Sequence, residues 1–492
     1  MNALLIYPEC PDTFWSFKHA LKFLRKRAGS PPVGLLTVAA MLPAEWPKRL
    51  VDMNVAPLRP EDLAWADCAF ISAMAIQLES AKRAISRCKE AGIKVVAGGP
   101  LFTIEPGLFD EVDHFVLNEA ESTLPPFLAD LARGEAKRVY SSDEFLDLRH
   151  TPVPLWELAD FKQYGWMSIQ FSRGCPFNCD FCNVTSLFGH NPRAKSADQV
   201  IAELDGLYAQ GWRGSVFFVD DNLIGNRKRL KADLLPALIR WQRGKSMPFH
   251  TQVSIDLADD DELMRLMVEA GFSQVFIGIE TPSADGLAEC NKRQNEGRDL
   301  VADVKRLQRA GLSVQGGFIL GFDSDTPSIF QRQIDFIQSS GVVMAMVGLL
   351  QAIPGTDLHA RLRREGRVTE RLASGDNADG TTNVVSVMGQ AALSEGYKRV
   401  IRHIYAPKHY YRRLRTFLSE YRKPPINEKV RREHLWAFFR SCFRLGILGR
   451  ERWQFWKLLA WTGLHRREHF SLAVALAICG YHFRRTAEAH VR

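Results

Sequence analysis

The chain is poor in cysteine, with nine in 492 residues. Six of them stand alone, at Cys10, Cys68, Cys88, Cys290, Cys442 and Cys479. Most of these lie in apolar or helical surroundings that suit buried, inert thiols. No charged-then-apolar leader precedes the first β-rich run, so a cytoplasmic location is expected and a disulfide framework is not. Long hydrophobic runs are missing too. The longest, at 472–480, is much too short to cross a bilayer and argues against an integral membrane protein. There is no internal repeat and no low-complexity tract. Acidic charge is scarce at one end only: from Lys398 onward 22 Lys and Arg face 6 Asp and Glu, inside a chain of net charge +8. Basic charge gathered in one region points to an anionic surface or partner.

What is present reads as two successive strand–helix alternations followed by a helical tail. Its length predicts two or three domains. Short β-rich runs at 3–7, 49–53, 69–72, 95–98 and 114–117 are separated by helical stretches at 35–42, 78–90 and 122–131. That alternation predicts a doubly wound parallel sheet, with ligands at the carboxyl ends of its strands. A polar, proline-containing linker is expected next. Strand candidates then follow at 167–171, 216–219, 251–255, 274–279, 314–320 and 344–350, with helices at 197–208, 260–270, 299–310 and 329–339. Six βα repeats in some two hundred residues fit a partial barrel, whose chemistry gathers at the C-terminal strand ends. The expected division is 1–137, a linker at 138–160, a barrel at 161–375, and a basic helical region at 376–492.

The remaining three cysteines, Cys175, Cys179 and Cys182, fall within eight residues just after the first barrel strand. An iron–sulfur cube takes four thiolates, so three from one loop leave one iron open. Zinc is the competing reading. Structural zinc sites take two ligand pairs, and here the nearby fourth candidate is His190, with no second cysteine pair.

The spacing Cys175-x3-Cys179-x2-Cys182, with Phe181 before the last cysteine, resembles the signature of radical S-adenosylmethionine (SAM) enzymes. Phe218-Val219-Asp220-Asp221-Asn222, Gly278-Ile279-Glu280-Thr281, Gly316-Gly317-Phe318-Ile319-Leu320-Gly321-Phe322 and Ile353-Pro354-Gly355-Thr356 agree with it. The first region resembles a cobalamin-binding domain. The whole chain is similar to the cobalamin-dependent group that contains hopanoid C-2 methylases. The resemblance implies that Cys175, Cys179 and Cys182 hold a [4Fe–4S] cluster whose open iron chelates SAM. Reductive cleavage of SAM would give a 5′-deoxyadenosyl radical that takes hydrogen from an unactivated carbon. In the methylase branch, methylcobalamin then supplies a methyl group and a second SAM restores it. A flavodoxin- or ferredoxin-type electron donor is implied as well.

Carried residue by residue, the resemblance expects SAM contacts at Asp220, Asp221, Asn222, Ser254, Asp256, Glu280, Gly316 and Gly317. A carboxylate at 220–222 suits the cationic methionine amine, although an aspartate there also caps a helix. Glu280 ends an otherwise apolar strand and is alternatively a buried ion-pair partner. Gly316 and Gly317 let backbone approach adenine, and close strand packing explains them nearly as well. Cobalamin contacts are expected at Ser72, Gln77, Gly98, Gly99, Pro100, Asn118 and Glu119. One feature departs from the pattern: no Asp-x-His-x-x-Gly loop occurs, and His19 and His114 lack its neighbours. An imidazole-free lower cobalt face is therefore expected.

The tail mixes tryptophan with arginine and lysine, as in Arg452-Trp453-Gln454-Phe455-Trp456-Lys457. That composition suits a helical cap on the barrel or a membrane-interface helix, and the two are compatible. Nucleic acid is disfavoured, because no recognised RNA-binding motif accompanies the basic residues. The sequence thus predicts a radical SAM enzyme, a cobalamin-dependent C-methyltransferase acting on a small molecule or on a lipid such as an isoprenoid. The alternatives are cobalamin-independent radical rearrangement or oxidation, and a non-catalytic iron–sulfur electron carrier.

Overall fold

A computed structural model describes residues 1–424 and 431–490. The first sheet is built from six parallel strands: β1 (Ala3–Tyr7), β2 (Lys48–Asp52), β3 (Cys68–Ser72), β4 (Lys94–Gly98), β5 (His114–Val116) and β6 (Val139–Tyr140). Side chains alternate across it. Leu4, Ile6, Ala69, Ile71, Val95 and Ala97 enter one apolar layer, while Ala3, Leu5, Cys68, Phe70, Val96 and Val116 enter the other. A strand buried on both faces must be apolar throughout, which is why these runs were legible. The strand order β2-β1-β3-β4-β5-β6 reverses between β1 and β3, and a ligand crevice forms at such a switch point.

The second sheet opens with β7 (Met167–Ile169). A short antiparallel pair, β8 (Ser172–Arg173) and β9 (Arg193–Ala194), follows. The sheet continues through β10 (Val216–Phe218), β11 (Phe249–Gln252), β12 (Phe272–Glu280), β13 (Ser313–Leu320) and β14 (Ala345–Leu349). Its order β14-β13-β12-β11-β10-β7 is sequential, parallel and open at both edges, a partial (β/α)6 barrel. The expected strand at 251–255 lies earlier. The chain leaves the sheet after Gln252, and Ile255–Asp259 winds into a 3-10 turn.

Among the described residues, the tail forms five α-helices: Gln390–Tyr405, Pro407–Glu420, Arg432–Arg444, Arg452–His465 and Phe470–His490. One apolar core runs from the barrel into these helices and into the segment after β1. There Phe14 stacks on Phe483 at 4.2 Å, and Arg440 Nη1 donates to Phe23 O at 2.6 Å. Arg413 is fully buried, and its guanidinium donates to Gln338 Oε1, Ile404 O and Val343 O. Among the described residues, no helix is long and apolar enough to cross a membrane.

Candidate active site

The cysteine loop leaves the carboxyl end of β7 and is bracketed by the β8–β9 pair. Gly174 turns the chain into it at φ +96°, where an added Cβ would lie 2.8 Å from Gly189 O. Asn291 Nδ2 donates to Asn178 O at 2.6 Å, and Asp180 N donates to Cys290 O at 3.2 Å. Later barrel segments therefore pin the loop. Cys175, Cys179 and Cys182 are free and half-buried. Cys179 and Cys182 face a solvent-open cavity of about 310 Å³ that His190, Thr356 and Asp357 help to line.

This arrangement fits an iron–sulfur cluster better than zinc. Two thiolates on one zinc ion, each at about 2.3 Å, can be no more than about 4.6 Å apart. The three sulfurs do not all lie within 4.8 Å of one another, so at least one pair is wider than a single zinc ion spans. Burial pushes the Cys175 and Cys179 thiols up, and that of Cys182 to about 12. Ligation by iron is the agency that deprotonates such thiols.

One half-buried cation sits beside them. Lys292 Nζ lies 2.8 Å from Glu280 Oε1 and 5.9 Å from the centroid of the Phe181 ring. Glu280 and the neighbouring thiols hold this ammonium protonated, against the cost of burial. Glu280 adopts φ +63° at a break in the β12–β13 register, a strained conformation for a residue with a Cβ. A Cβ on Gly278 would lie 2.9 Å from Lys292 Nζ, so that glycine makes room for the pair.

The run 220–222 divides its labour. Asp220 is wholly buried and accepts from Phe171 N at 3.1 Å, from Ser172 Oγ at 2.6 Å and from Ser172 N. It clasps β10 to the start of the cysteine loop. Asn222 is buried and pairs with Ser254 through both its amide atoms. Asp221 forms no ion pair among the described residues, and burial together with Asp220 pushes it up to about 7. It is the open carboxylate of the three and fits a cationic amine. Asp256 is drawn to Arg227 by one oxygen, while the other is buried without a partner.

Inside the barrel the strands alternate. Val216, Phe218, Phe249, Val275 and Ile277 are buried beneath the helices, whereas Phe217, His250 and Phe276 are half-buried on the inner face. Phe217 and His250 stack at 4.8 Å and 4°. Trp15, from the loop after β1, meets Phe276 edge-on at 5.4 Å and donates to Met346 Sδ at 3.0 Å. The inner wall is thus aromatic and partly closed by the first domain. Burial pushes His250 down to about 4, so its imidazole is neutral. Gly317 lies on this wall, where a Cβ would meet the Phe276 ring at 2.7 Å. Gly316 faces the other way, against Phe318 and Val342, where packing accounts for it.

At the carboxyl edge of the first sheet, Gly99 takes φ +89° and a Cβ there would strike Ser72 Oγ. Pro100 then starts the short helix Pro100–Ile104. A Cβ on Gly98 would likewise lie 2.6 Å from Val116 O, so close packing at this strand-end rim requires both glycines. Gln77 is buried instead, donating to Pro8 O and accepting from Met74 N, which ties the two sides of the switch point together. Asn118 takes φ +62° and donates to Ser142 O at 2.5 Å. His114 sits at the amino end of β5 with Nδ1 2.7 Å from Lys137 O, and His19 pairs with Asp12. Neither matches an imidazole ligand for that rim. Glu119 is taken up by Arg193 at 2.8 Å and Arg173 at 3.2 Å, while Arg173 also holds Glu121 at 2.7 Å. This buried network joins the first sheet to the hairpin that carries the cysteine loop.

Lys292, Arg173, Trp15 and His250 were not legible beforehand. Each is a single residue far in sequence from the group it serves, and spacing carries no such signal.

Together, the glycine-rimmed parallel sheet, the open barrel and the three-cysteine loop define a radical SAM enzyme. The radical SAM superfamily pattern matches residues 169–337, and a domain of unknown function (DUF4070) matches 356–492. The chain is 40% identical over 427 residues to the uncharacterized methyltransferase sll1242 of Synechocystis sp., covering 85% of this chain and 79% of that one. It is 37% identical over 383 residues to hopanoid C-2 methylase of Rhodopseudomonas palustris, covering 76% and 72%. The cobalamin-dependent radical enzyme OxsB, solved with aqua-cobalamin and SAM, shares the fold at TM-score 0.63 and 14% identity, covering 99% of this chain and 80% of that chain. The protein belongs to the radical SAM methyltransferase family that includes hopanoid C-2 methylase.

Proposed function

We propose that the protein is a cobalamin-dependent C-methyltransferase that methylates an unactivated carbon of an isoprenoid-type lipid. The observation that carries this reading is the aromatic inner wall of Trp15, Phe217 and Phe276. Such a wall receives an apolar ring system and keeps water from a radical. The likeness to hopanoid C-2 methylase supports the substrate class.

Cys175, Cys179 and Cys182 would hold the cluster, and the glycine rim at Ser72, Gly98 and Gly99 would face cobalamin. These groups supply one-electron cleavage of a sulfonium and a transferable methyl group. The chain's own residues bind and orient. Asp221 receives the methionine amine, with Asp220 and Asn222 fixing its strand end. Lys292 offsets the negative charge of the thiolates. The Arg173–Glu119 joint fixes the first sheet against the cysteine loop. A flavodoxin- or ferredoxin-type protein supplies the electron.

Access to a lipid is supported by the tail. Leu435, Trp436, Phe439 and Phe443 are exposed along helix Arg432–Arg444, and Trp453 and Trp456 are exposed on the next helix. Phe455, Leu458 and Leu459 of that second helix are buried, so the tail caps the barrel and turns aromatic residues outward. Exposed tryptophan flanked by arginine suits contact with the surface of an anionic membrane.

Anaerobic incubation with SAM, reductant, methylcobalamin and a polycyclic isoprenoid tests the reading. A product heavier by one methyl group, with 5′-deoxyadenosine and S-adenosylhomocysteine, is expected. Release of 5′-deoxyadenosine with no methylated product, together with an unchanged lipid profile on gene deletion, would overturn it.

A further inference from the structure

Away from the cysteine loop, a second set of metal-binding side chains converges. Asp12, His19 and His482 each place a ligand atom within 4.8 Å of the other two, and no other trio of His, Cys, Asp or Glu does so among the described residues. They come from opposite ends of the chain. Asp12 and His19 flank the turn Phe14–Ser16 that follows β1, and His482 lies on the last helix.

The trio has features that an incidental polar cluster would lack. His482 is fully buried. Its Nε2 is 2.9 Å from Phe14 O, a contact that requires an N–H and leaves the lone pair on Nδ1. That Nδ1 is also buried and has no protein partner, although a buried polar nitrogen ordinarily finds one. A backbone carbonyl that fixes the far ring nitrogen is the usual support behind a metal-binding histidine. The rings of His19 and His482 are 5.6 Å apart between centroids. His19 Nε2 meets Asp12 Oδ2 at 2.6 Å, a contact that a cation between them can replace. The Asp12 side chain is 43% exposed, which leaves the site open to water on one side.

We propose that Asp12, His19 and His482 form a binding site for a zinc-class divalent cation, with water completing its coordination. Two imidazoles and one carboxylate form a donor set that zinc and its neighbours accept. The ion would clamp the last helix to the loop after β1, the same loop that sends Trp15 to the barrel wall. It is independent of the cluster, because none of its ligands belongs to the cysteine loop.

The test is equilibrium dialysis of the full chain against zinc ion, with metal counted by mass spectrometry. It is run on the cluster-loaded protein and on Cys175→Ala/Cys179→Ala/Cys182→Ala, in which no loop thiolate can take zinc. One zinc per chain is expected in both. His19→Ala and Asp12→Asn change accessible side chains and should keep the fold, as circular dichroism would report. Each should weaken zinc binding by more than about 100-fold, since loss of even an outer-sphere partner costs about 10–100-fold. Zinc should raise the Tm of the parent and leave that of His19→Ala unchanged. A parent chain that binds no zinc at micromolar concentration would overturn the proposal. So would equal zinc in the parent and in both variants, since that metal would sit elsewhere.

Discussion

Lys292 Nζ and Glu280 Oε1 meet at 2.8 Å in a largely buried pair beside the cysteine loop, and the carboxylate sits on a backbone at φ +63°. The ammonium thereby feels the charge of this carboxylate and of the nearby Cys179 and Cys182 sulfurs. Lys292→Met should strand the Glu280 charge, and breaking such a pair from one side costs about 3–5 kcal/mol. A lower Tm and reduced iron per chain after anaerobic reconstitution are expected. Lys292→Arg should recover much of both, and a Met variant with full iron content would contradict the role given to this cation.

Replacing Cys175, Cys179 or Cys182 by alanine removes one of three thiolates that the loop can offer. Each variant should lose the visible absorption of the reconstituted cluster and release no 5′-deoxyadenosine. Cys290→Ala, which alters a buried thiol that donates to Leu287 O, should retain both.

Asp221 carries a pH signature. Burial and the neighbouring Asp220 push it up to about 7, so below that pH it is mostly neutral and offers the SAM amine no charge. The KM for SAM should fall as pH rises through about 7 and level off above it. Asp221→Asn should raise KM about tenfold or more, the loss of one charge-assisted hydrogen bond worth about 1.5–3 kcal/mol, and flatten the dependence on pH.

Glu121 is held down at about 2 by Arg173. A carboxylate whose pKa is depressed by folding contributes stability in full above its unfolded value of about 4.3, and loses it as pH falls below that value toward 2. Acid unfolding followed by circular dichroism should therefore steepen below pH 4.3. Glu121→Gln should remove that part of the slope and loosen the joint between the first sheet and the cysteine hairpin.

The exposed aromatic face of the tail predicts binding to anionic vesicles that weakens with salt. Trp436→Ser/Phe439→Ser/Trp453→Ser should reduce vesicle co-sedimentation by more than tenfold, since burying one such side chain is worth about 1.5–3 kcal/mol. Activity toward a detergent-dispersed substrate should change little.

The parts of this molecule that could be read in advance are those with a local signal. Parallel strands buried on both faces are continuous apolar runs, so β1, β3, β4, β13 and β14 stood out. The cysteine triplet announces itself by spacing. The exit of β11 was misjudged because Val253 and Ile255 prolong the apolar pattern, although both are buried beyond the sheet's edge. Strands of two residues, such as β6, β8 and β9, are too short to have a period. The split roles of Asp220 and Asp221, and the engagement of Glu119 with two arginines, depend on which neighbour folding brings near. Adjacent residues in sequence do not disclose that.

Trp15 belongs to the first region of the chain yet finishes the wall of the second. Cutting the polypeptide before residue 161 would leave the barrel with an open flank through which solvent could quench a carbon-centred intermediate. The amino-terminal third is consequently a shield for the barrel.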